Sequence, residues 1–559
     1  MEWSTACPDW AERLVAGQSI IPPPIFPDEA ERALRIFRQL RVVDLPGKPT
    51  FAECSDPWVF DFVAAIFGAY DVDTGNQLIR DFFLLISKKN TKSTIAAGIM
   101  LTAVILCWRD DEEHLILAPT KEVADNSFKP AAGMVRADEE LSDLFHVQDH
   151  IRTITRRDTK ASLKVVAADT DTVSGKKSGK VLVDEHWLFG KRANAEAMFM
   201  EAFGGQISRN EGWVIKLSTQ SDEPPAGVFR ETLNYFRDVR DGKIVDKKSL
   251  GVIYEFPPAM VKAKGYLEPK NFYITNPNMG RSVSAEWLED QLRKNLPKTD
   301  GTLQQFVAKH LNVEIGLNLR SDRWRGADYW EEQGRREVTL EYLLQWSEVI
   351  DVGIDGGGLD DLLGAAAIGR HKVTKDWLVW TRAWAHKSVL KLRQDIAPRL
   401  KDFVAEGNMV LVDMIGDDVD ELASIVSRFE ASGLLDMVGV DPGGLGGVLD
   451  ALEAASVPKD KVVGISQGWK LGGAIKTVER KLGAGDLWHS GQPLMSWCVG
   501  NARVVVVSNS INITKQASGT AKIDPLMAVF NAASLMSLNP ESRSGMDDYL
   551  NNGFFGLVG

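Results

Sequence analysis

The chain has 559 residues, too many for a single hydrophobic core, so two or three domains are expected. A content of 44% hydrophobic and 25% charged residues excludes large-scale disorder, and a net charge of −12 argues against a generic basic nucleic-acid coat while leaving room for a local basic track. No apolar run reaches the length of a membrane span and the start Met1-Glu2-Trp3-Ser4 is not a signal peptide, so the protein is expected to stay in the cytoplasm of the cell that makes it. Cys7, Cys54, Cys107 and Cys498 are far apart and form no Cys-x-x-Cys pair, which supports neither a zinc site nor a disulfide framework.

Residues 1–80 carry helical patterning, with Pro22-Pro23-Pro24 closing one segment and Asp28–Phe37 opening another. From Asp81 to about Thr219 short apolar runs alternate with helical ones: Asp81–Ile86, Leu115–Ala118, Leu163–Ala168, Val181–Val183 and Trp213–Leu217 read as buried parallel strands. A doubly wound P-loop α/β domain over 81–220 is predicted. Ser221-Asp222-Glu223-Pro224-Pro225 marks a turn or linker, and 221–345 reads as a helical, mixed segment in which Trp287–Leu292 is amphipathic. A second α/β domain, 346–559, opens with the strand Val349–Asp355 before Gly356-Gly357-Gly358.

The first strand leads into Ser87-Lys88-Lys89-Asn90-Thr91-Lys92-Ser93 and then the helical run Thr94–Met100. Strand, tight loop, Lys-Ser and helix in that order suit a phosphate, because backbone N–H groups and a helix N-terminus converge on the anion. Lys92 is placed to reach the β- and γ-phosphates of ATP, and the Ser93 hydroxyl to ligate magnesium. The loop departs from the usual glycine-rich pattern, with Ile86 and Thr91 at the two glycine positions, and Lys92-Ser93 in isolation also reads as an ordinary helix start. The strand Lys180–Val183 delivers Asp184-Glu185, where Asp184 would hold the same ion and Glu185 would orient the attacking water.

In the second half Asp355 lies on the first strand, Asp441 follows the apolar run Met437–Val440, and Asp524 heads the helical run Pro525–Phe530. Two strand-borne acids and one helix-borne acid can meet at one end of a sheet, where hard carboxylate oxygens suit a pair of magnesium or manganese ions acting on a phosphodiester. Each has a bland alternative: Asp441-Pro442-Gly443-Gly444 is a good turn and Asp524-Pro525 a good helix cap. Asp360 and Asp361 add to the local acidity, with Asp361 an additional ligand candidate, and a lone His489 beside Trp488 reads as structural. Basic tracks run over 152–164 and 320–336.

Together these motifs resemble the large terminase subunit of tailed bacteriophages along nearly the whole chain. Further similar segments are Leu117-Ala118-Pro119-Thr120-Lys121, the coupling-like Leu217-Ser218-Thr219-Gln220, Asn501-Ala502, Lys515 and Lys522-Ile523-Asp524-Pro525. The resemblance implies an ATPase followed by an RNase H-like nuclease, working as a ring on the portal of an empty procapsid in the bacterial host cytoplasm. It implies ATP and magnesium as cofactors, double-stranded DNA as the translocated and cut polymer, and a small terminase subunit that helps to select it. It also implies an arginine supplied by a neighbouring subunit, for which Arg136, Arg152, Arg156 and Arg157 are all candidates. A repair or recombination helicase-nuclease would share both chemistries but separate strands. A non-catalytic scaffold switched by nucleotide would not need Glu185.

Overall fold

A computed structural model describes residues 2–167, 178–192, 194–298, 302–315, 324–394, 396–441, 445–507, 510–514 and 522–543. The chain divides into two compact units, Met1–Ile315 and Gly316–Gly559. Among the described residues no helix is long and apolar enough to cross a membrane.

The first unit is built on strands β1 (Asp81–Leu85), β2 (Glu113–Ala118), β3 (Phe145–Gln148), β4 (Thr153–Arg156), β5 (Ser162–Ala167), β6 (Ser178–Val183), β7 (Trp213–Ser218) and β8 (Ser249–Ile253). They lie in the order β8-β1-β7-β6-β2-β5-β4-β3, parallel from β8 to β5 and antiparallel across β4 and β3. Phe82, Phe83, Leu84 and Leu85 are all fully buried, as expected of a central strand covered on both faces. The register pairs Leu85 with Ser218 and with Ile253, and Val183 with Leu117. The C-terminal ends of the parallel strands therefore share one edge, where ligands of such sheets bind.

Helices α1 (Lys92–Ile105), α2 (Lys121–Arg136) and α3 (Thr302–Leu311) matter most for that edge. The N-terminal helical region joins the same unit: Phe37 and Phe51 stack at 4.3 Å and lie against α1 at Gly98. One element differs from the sequence reading of 221–345 as helical, since β8 is an edge strand of the first sheet. Its run Ser249-Leu250-Gly251-Val252-Ile253 is short and wholly buried, too brief for any helical period to register.

The second unit contains β9 (Ser347–Gly356), β10 (Leu363–His371), β11 (Trp377–His386), β12 (Met409–Val412), β13 (Leu435–Val440), β14 (Val462–Gly464) and β15 (Leu487–His489). Their order is β12-β11-β10-β9-β13-β14, with β15 also paired to β11. A meander of three antiparallel strands followed by two strands parallel to the first is the RNase H-like arrangement. Helices α4 (Asp417–Ala431), α5 (Leu445–Ala454) and α6 (Asp524–Met536) accompany it.

Both faces of this sheet are covered. Val349, Ile368 and Val379 pack with Leu526, Val529 and Phe530 of α6, while Ile350, Val352, Ile354 and Trp384 pack with Leu422, Val426 and Phe429 of α4. Each such side chain contributes about 1.5–3 kcal/mol. Helix α6 lies unusually close to β9: a Cβ at Gly353 would sit 2.0 Å from the Ala528 carbonyl oxygen. Glycine on the strand and alanine on the helix permit this approach, which fixes where the first turn of α6 meets the sheet edge. Trp324 and Trp330 are buried in the same core, so the segment before residue 346 belongs structurally with the second unit.

Candidate active sites

The loop between β1 and α1 holds two non-glycine residues in the left-handed region, Lys89 at φ 71° and Thr91 at φ 57°. Glycine is the usual occupant of such positions because a Cβ strains them. Here side chains from a distant segment hold the loop instead. Asn90 is buried and donates to the Ser87 carbonyl (3.0 Å) and to Asn276 Oδ1 (2.8 Å). Its own Oδ1 accepts from the Asn278 backbone N–H at 3.1 Å. Asn278 Nδ2 in turn donates to the Asn90 carbonyl and to Thr91 Oγ1, both at 3.0 Å. The Ser87 hydroxyl is buried and has no hydrogen-bond partner among the described residues, as suits a loop shaped for an anion. Lys88 is half-buried and Lys89 exposed.

Lys92, Asp184 and Glu185 meet at the edge of the sheet. Lys92 Nζ lies 2.5 Å from Glu185 Oε1, and Trp187 Nε1 donates to Glu185 Oε2 at 2.6 Å. Asp184 is fully buried, accepting from Ser127 Oγ of α2 (2.8 Å) and from the Glu185 N–H (2.9 Å). Ser93 stands close enough to Asp184 for its side chain to help lower that carboxyl. Burial pushes the Asp184 carboxyl above the ordinary range despite the nearby Lys92. Burial would raise Glu185 as well, but the Lys92 cation outweighs it and holds that carboxyl low. For Lys92 burial works against the charge, and the Glu185 and Asp184 carboxylates reverse it. Glu185 itself sits at φ 51°, a strained conformation of the kind that clusters at functional sites. A serine hydroxyl beside a buried aspartate is a hard-oxygen donor set that fits magnesium.

The end of β7 completes this edge. The Ser218 carbonyl accepts from the Ile86 N–H (3.0 Å), and Ser218 Oγ accepts from the Trp187 N–H (3.1 Å). Thr219 Oγ1 and Gln220 Nε2 are buried with no hydrogen-bond partner among the described residues.

In the second unit Asp355 pairs across the sheet with Gly364, and its neighbour Ile354 pairs with Val440, the residue before Asp441. Asp524 is buried at the start of α6, where a Cβ on Gly356 would lie 3.2 Å from the Asp524 Cβ. The backbone thus brings Asp355, Asp441 and Asp524 to one end of the sheet. Among the described residues no three His, Cys, Asp or Glu side chains gather closely enough to hold an ion. Asp361 is engaged by a buried lysine, with Lys522 Nζ 2.6 Å from its Oδ1 and 2.8 Å from the Asp360 carbonyl. Asn501 Nδ2 donates to the Lys522 carbonyl at 3.0 Å. Pro442, Gly443, Gly444, Lys515, Arg320 and Arg323 lie outside the described residues. His489 stacks on Trp330 at 3.9 Å and both its ring nitrogens are engaged, so it is structural.

Residues 57–235 match the family model described as terminase large subunit, ATPase domain, an interval that contains the phosphate loop, Asp184 and Glu185. The terminase large subunit of Enterobacteria phage HK97 is 22% identical over 515 residues, covering 89% of this chain and 93% of that protein. Over most of its length the chain is similar to terminase large subunits. A second relative, protein YmfN of Escherichia coli (strain K12), is 23% identical over 371 residues, covering 64% of this chain and 77% of that protein. The crystal structure of the HK97 bacteriophage large terminase covers 90% of this chain and 99% of its own, at 20% identity and a TM-score of 0.46.

Within this site, Ser127, Asn276 and Asn278 had no signal in sequence reading, since each is remote in sequence from the residue it touches. Trp187 alone, two residues past Glu185, lay close enough to have been suspected.

Proposed function

We propose that the chain is the motor of viral genome packaging, hydrolysing ATP to drive double-stranded DNA into a procapsid and cutting concatemeric DNA in its second unit. The observation that carries this reading is the Lys92–Glu185–Asp184 constellation, on a parallel sheet, in a chain whose second sheet is RNase H-like. The match of residues 57–235 to the terminase ATPase model favours packaging over a helicase-nuclease role.

In the proposed ATPase, backbone N–H groups of Ser87–Ser93 and the Lys92 ammonium bind the phosphates. Ser93 and Asp184 would hold magnesium, which when bound offsets charge on the phosphates. Lys92 is paired with Glu185, and phosphates bound in the loop would compete for its ammonium. Glu185 Oε1 is then released to orient a water, while the indole N–H keeps Oε2 in place. An arginine from a neighbouring subunit in a ring completes the charge stabilisation. Asp355, Asp441 and Asp524 are the proposed nuclease residues, with hard oxygen donors of the kind that suit magnesium or manganese. The portal of the procapsid and a small terminase subunit are the proposed partners, in the host cytoplasm.

The test is DNase-protected DNA recovered from procapsids incubated with the chain, DNA and ATP. Protection that requires ATP and disappears with Lys92→Ala supports the reading. ATP turnover accompanied by strand separation on a forked duplex, without protection, overturns it.

A further inference from the structure

Outside the motifs, Lys309 on α3 is a buried charge, only 7% exposed and far in sequence from every residue it serves. Its Nζ lies 3.0 Å from the centroid of the Trp187 ring and donates to the Gln220 carbonyl at 2.9 Å. Its backbone carbonyl accepts from the Lys88 N–H of the phosphate loop at 2.8 Å. One residue of α3 therefore touches the phosphate loop, the end of β7 and the indole that holds Glu185.

We propose that Lys309 is a positioning residue for ATP hydrolysis: its ammonium clamps the Trp187 ring, and the Trp187 N–H fixes Glu185 Oε2, so that α3 is mechanically tied to the hydrolytic carboxylate. This rests on the reading of Glu185 as the water-orienting group. The two oxygens of Glu185 have separate holders, Lys92 on Oε1 and Trp187 on Oε2. When phosphates draw Lys92 away, the indole is the tether that remains, and the Lys309 cation over its face helps to hold that buried ring in place. A cation over tryptophan is the strongest of the cation–π contacts and gains further when desolvated.

A lysine in this position is not a neutral choice for packing. Burial pulls its pKa down to about 7, with the Asp222 carboxylate opposing that pull, Lys88 adding to it, and Glu185 and Lys191 acting with smaller effect in opposite senses. Lys191 is itself held by Asp222 at 2.9 Å and lies 5.2 Å from the same indole centroid. The Asp222 carboxylate thus opposes part of the loss of charge on Lys309, and α3 carries that lysine over the Trp187 ring. Movement of α3, by a neighbouring subunit or by DNA, would be transmitted to Glu185 and to Gln220 together.

The test uses the full chain with DNA and procapsids and compares Lys309→Met, Lys309→Arg and Trp187→Phe. The expected result for Lys309→Met is a kcat lower by about tenfold or more, with KM for ATP and the affinity for a fluorescent ADP changed by less than about twofold. Lys309→Arg, which keeps a cation on the ring, should restore kcat to within about threefold of wild type. Trp187→Phe keeps a ring but removes the N–H, and should lower kcat as Lys309→Met does without adding to it in the double variant. In a Glu185→Gln background, single-turnover hydrolysis should be insensitive to Lys309→Met. A wild-type kcat in Lys309→Met or in Trp187→Phe overturns the proposal, as does full additivity with Glu185→Gln. If Lys309→Met does not fold, Trp187→Phe decides. Wild-type hydrolysis by Glu185→Gln would instead remove the base assignment itself, whatever Lys309 does.

Discussion

Lys92→Ala and Glu185→Gln remove the two halves of one buried ion pair, and their consequences should differ. Lys92 is 8% exposed and is shared between Glu185, at 2.5 Å, and the fully buried Asp184. Without the ammonium, two adjacent carboxylates lose their common cation, and breaking a buried pair in this way costs about 3–5 kcal/mol. Glu185→Gln leaves Lys92 beside Asp184, keeps an oxygen for the Trp187 N–H and conserves volume, so its cost is that of one charged hydrogen bond, about 1.5–3 kcal/mol. At about 2 °C per kcal/mol for a unit of this size, Lys92→Ala should melt roughly 6–10 °C below wild type and Glu185→Gln roughly 3–6 °C below. Function should separate them further: Glu185→Gln binds ATP normally but hydrolyses it about 10²–10⁴-fold more slowly, whereas Lys92→Ala loses binding as well. Thermal unfolding and fluorescent-nucleotide titration on the full chain, with turnover measured in the presence of DNA and procapsids, provide the readouts. Wild-type turnover by Glu185→Gln, or a larger loss of stability in Glu185→Gln than in Lys92→Ala, would refute the reasoning.

Three further outcomes follow from the same geometry. Asp355→Ala, Asp441→Ala and Asp524→Ala should each abolish magnesium- or manganese-dependent DNA cutting by the full chain while ATP turnover survives; cutting that persists in EDTA would exclude metal catalysis at that sheet edge. Of the four arginines considered as the trans-acting group, Arg136 pairs with Asp149, Arg152 pairs with Asp125, and Arg156 donates to the Ile105 and Cys107 carbonyls, whereas Arg157 is exposed and its guanidinium has no partner among the described residues. Arg157→Ala should therefore lower turnover by the assembled motor by about 10³-fold or more with ATP binding unchanged, and a flattened salt dependence of DNA binding with normal turnover would assign it to phosphate contact instead. Asp351, buried on β9, has its pKa raised to about 7 by burial and then by the Asp436 carboxylate, with the Met437 N–H, Arg543 and Arg370 opposing. The folded chain thus retains a proton that the unfolded chain loses near pH 4, so stability falls as pH rises from about 4 to about 7, by at most about 4 kcal/mol. Asp351→Asn should remove that slope and melt above wild type at pH 8, and an unchanged slope in thermal unfolding would show that Asp351 is not its source.

Apart from the polar strands β3 and β4, which went unread, the central strands of the first sheet were legible because each carries a short apolar run bounded by polar turns, and Phe82–Leu85 has no alternative to a buried centre. The edge strand β8 was not, because five buried residues between two helical stretches carry no period of their own. In the second unit Asp355, Asp441 and Asp524 could be placed at strand ends and a helix start from the sequence, since those are local properties. Their distances to one another are not local. The side-chain separation at that edge depends on how far α6 advances over β9, which is set by the contact of Gly353 with the Ala528 carbonyl. Likewise nothing near Asp361 announces Lys522, more than a hundred and fifty residues away, as the cation that engages it.

The phosphate loop shows why glycine-based motif reading fails for this chain and what replaces it. A glycine-rich loop adopts left-handed conformations without strain, so its shape is written in its own sequence. Here Lys89 and Thr91 adopt those conformations against a steric cost, and Asn276 and Asn278 hold them there through Asn90 and Thr91. The information for the loop's shape is therefore divided between residues 87–93 and a segment nearly two hundred residues later. That division also has a mechanical meaning. The Asn276 side chain donates to the His310 carbonyl at 2.9 Å, so the segment that shapes the phosphate loop is bonded to the helix that carries Lys309. Phosphate binding at the loop and the orientation of Glu185 are consequently read by one and the same element, α3. A motor needs such an element, because the bond that breaks and the part that moves must be joined by groups rigid enough to transmit a displacement of an ångström or less.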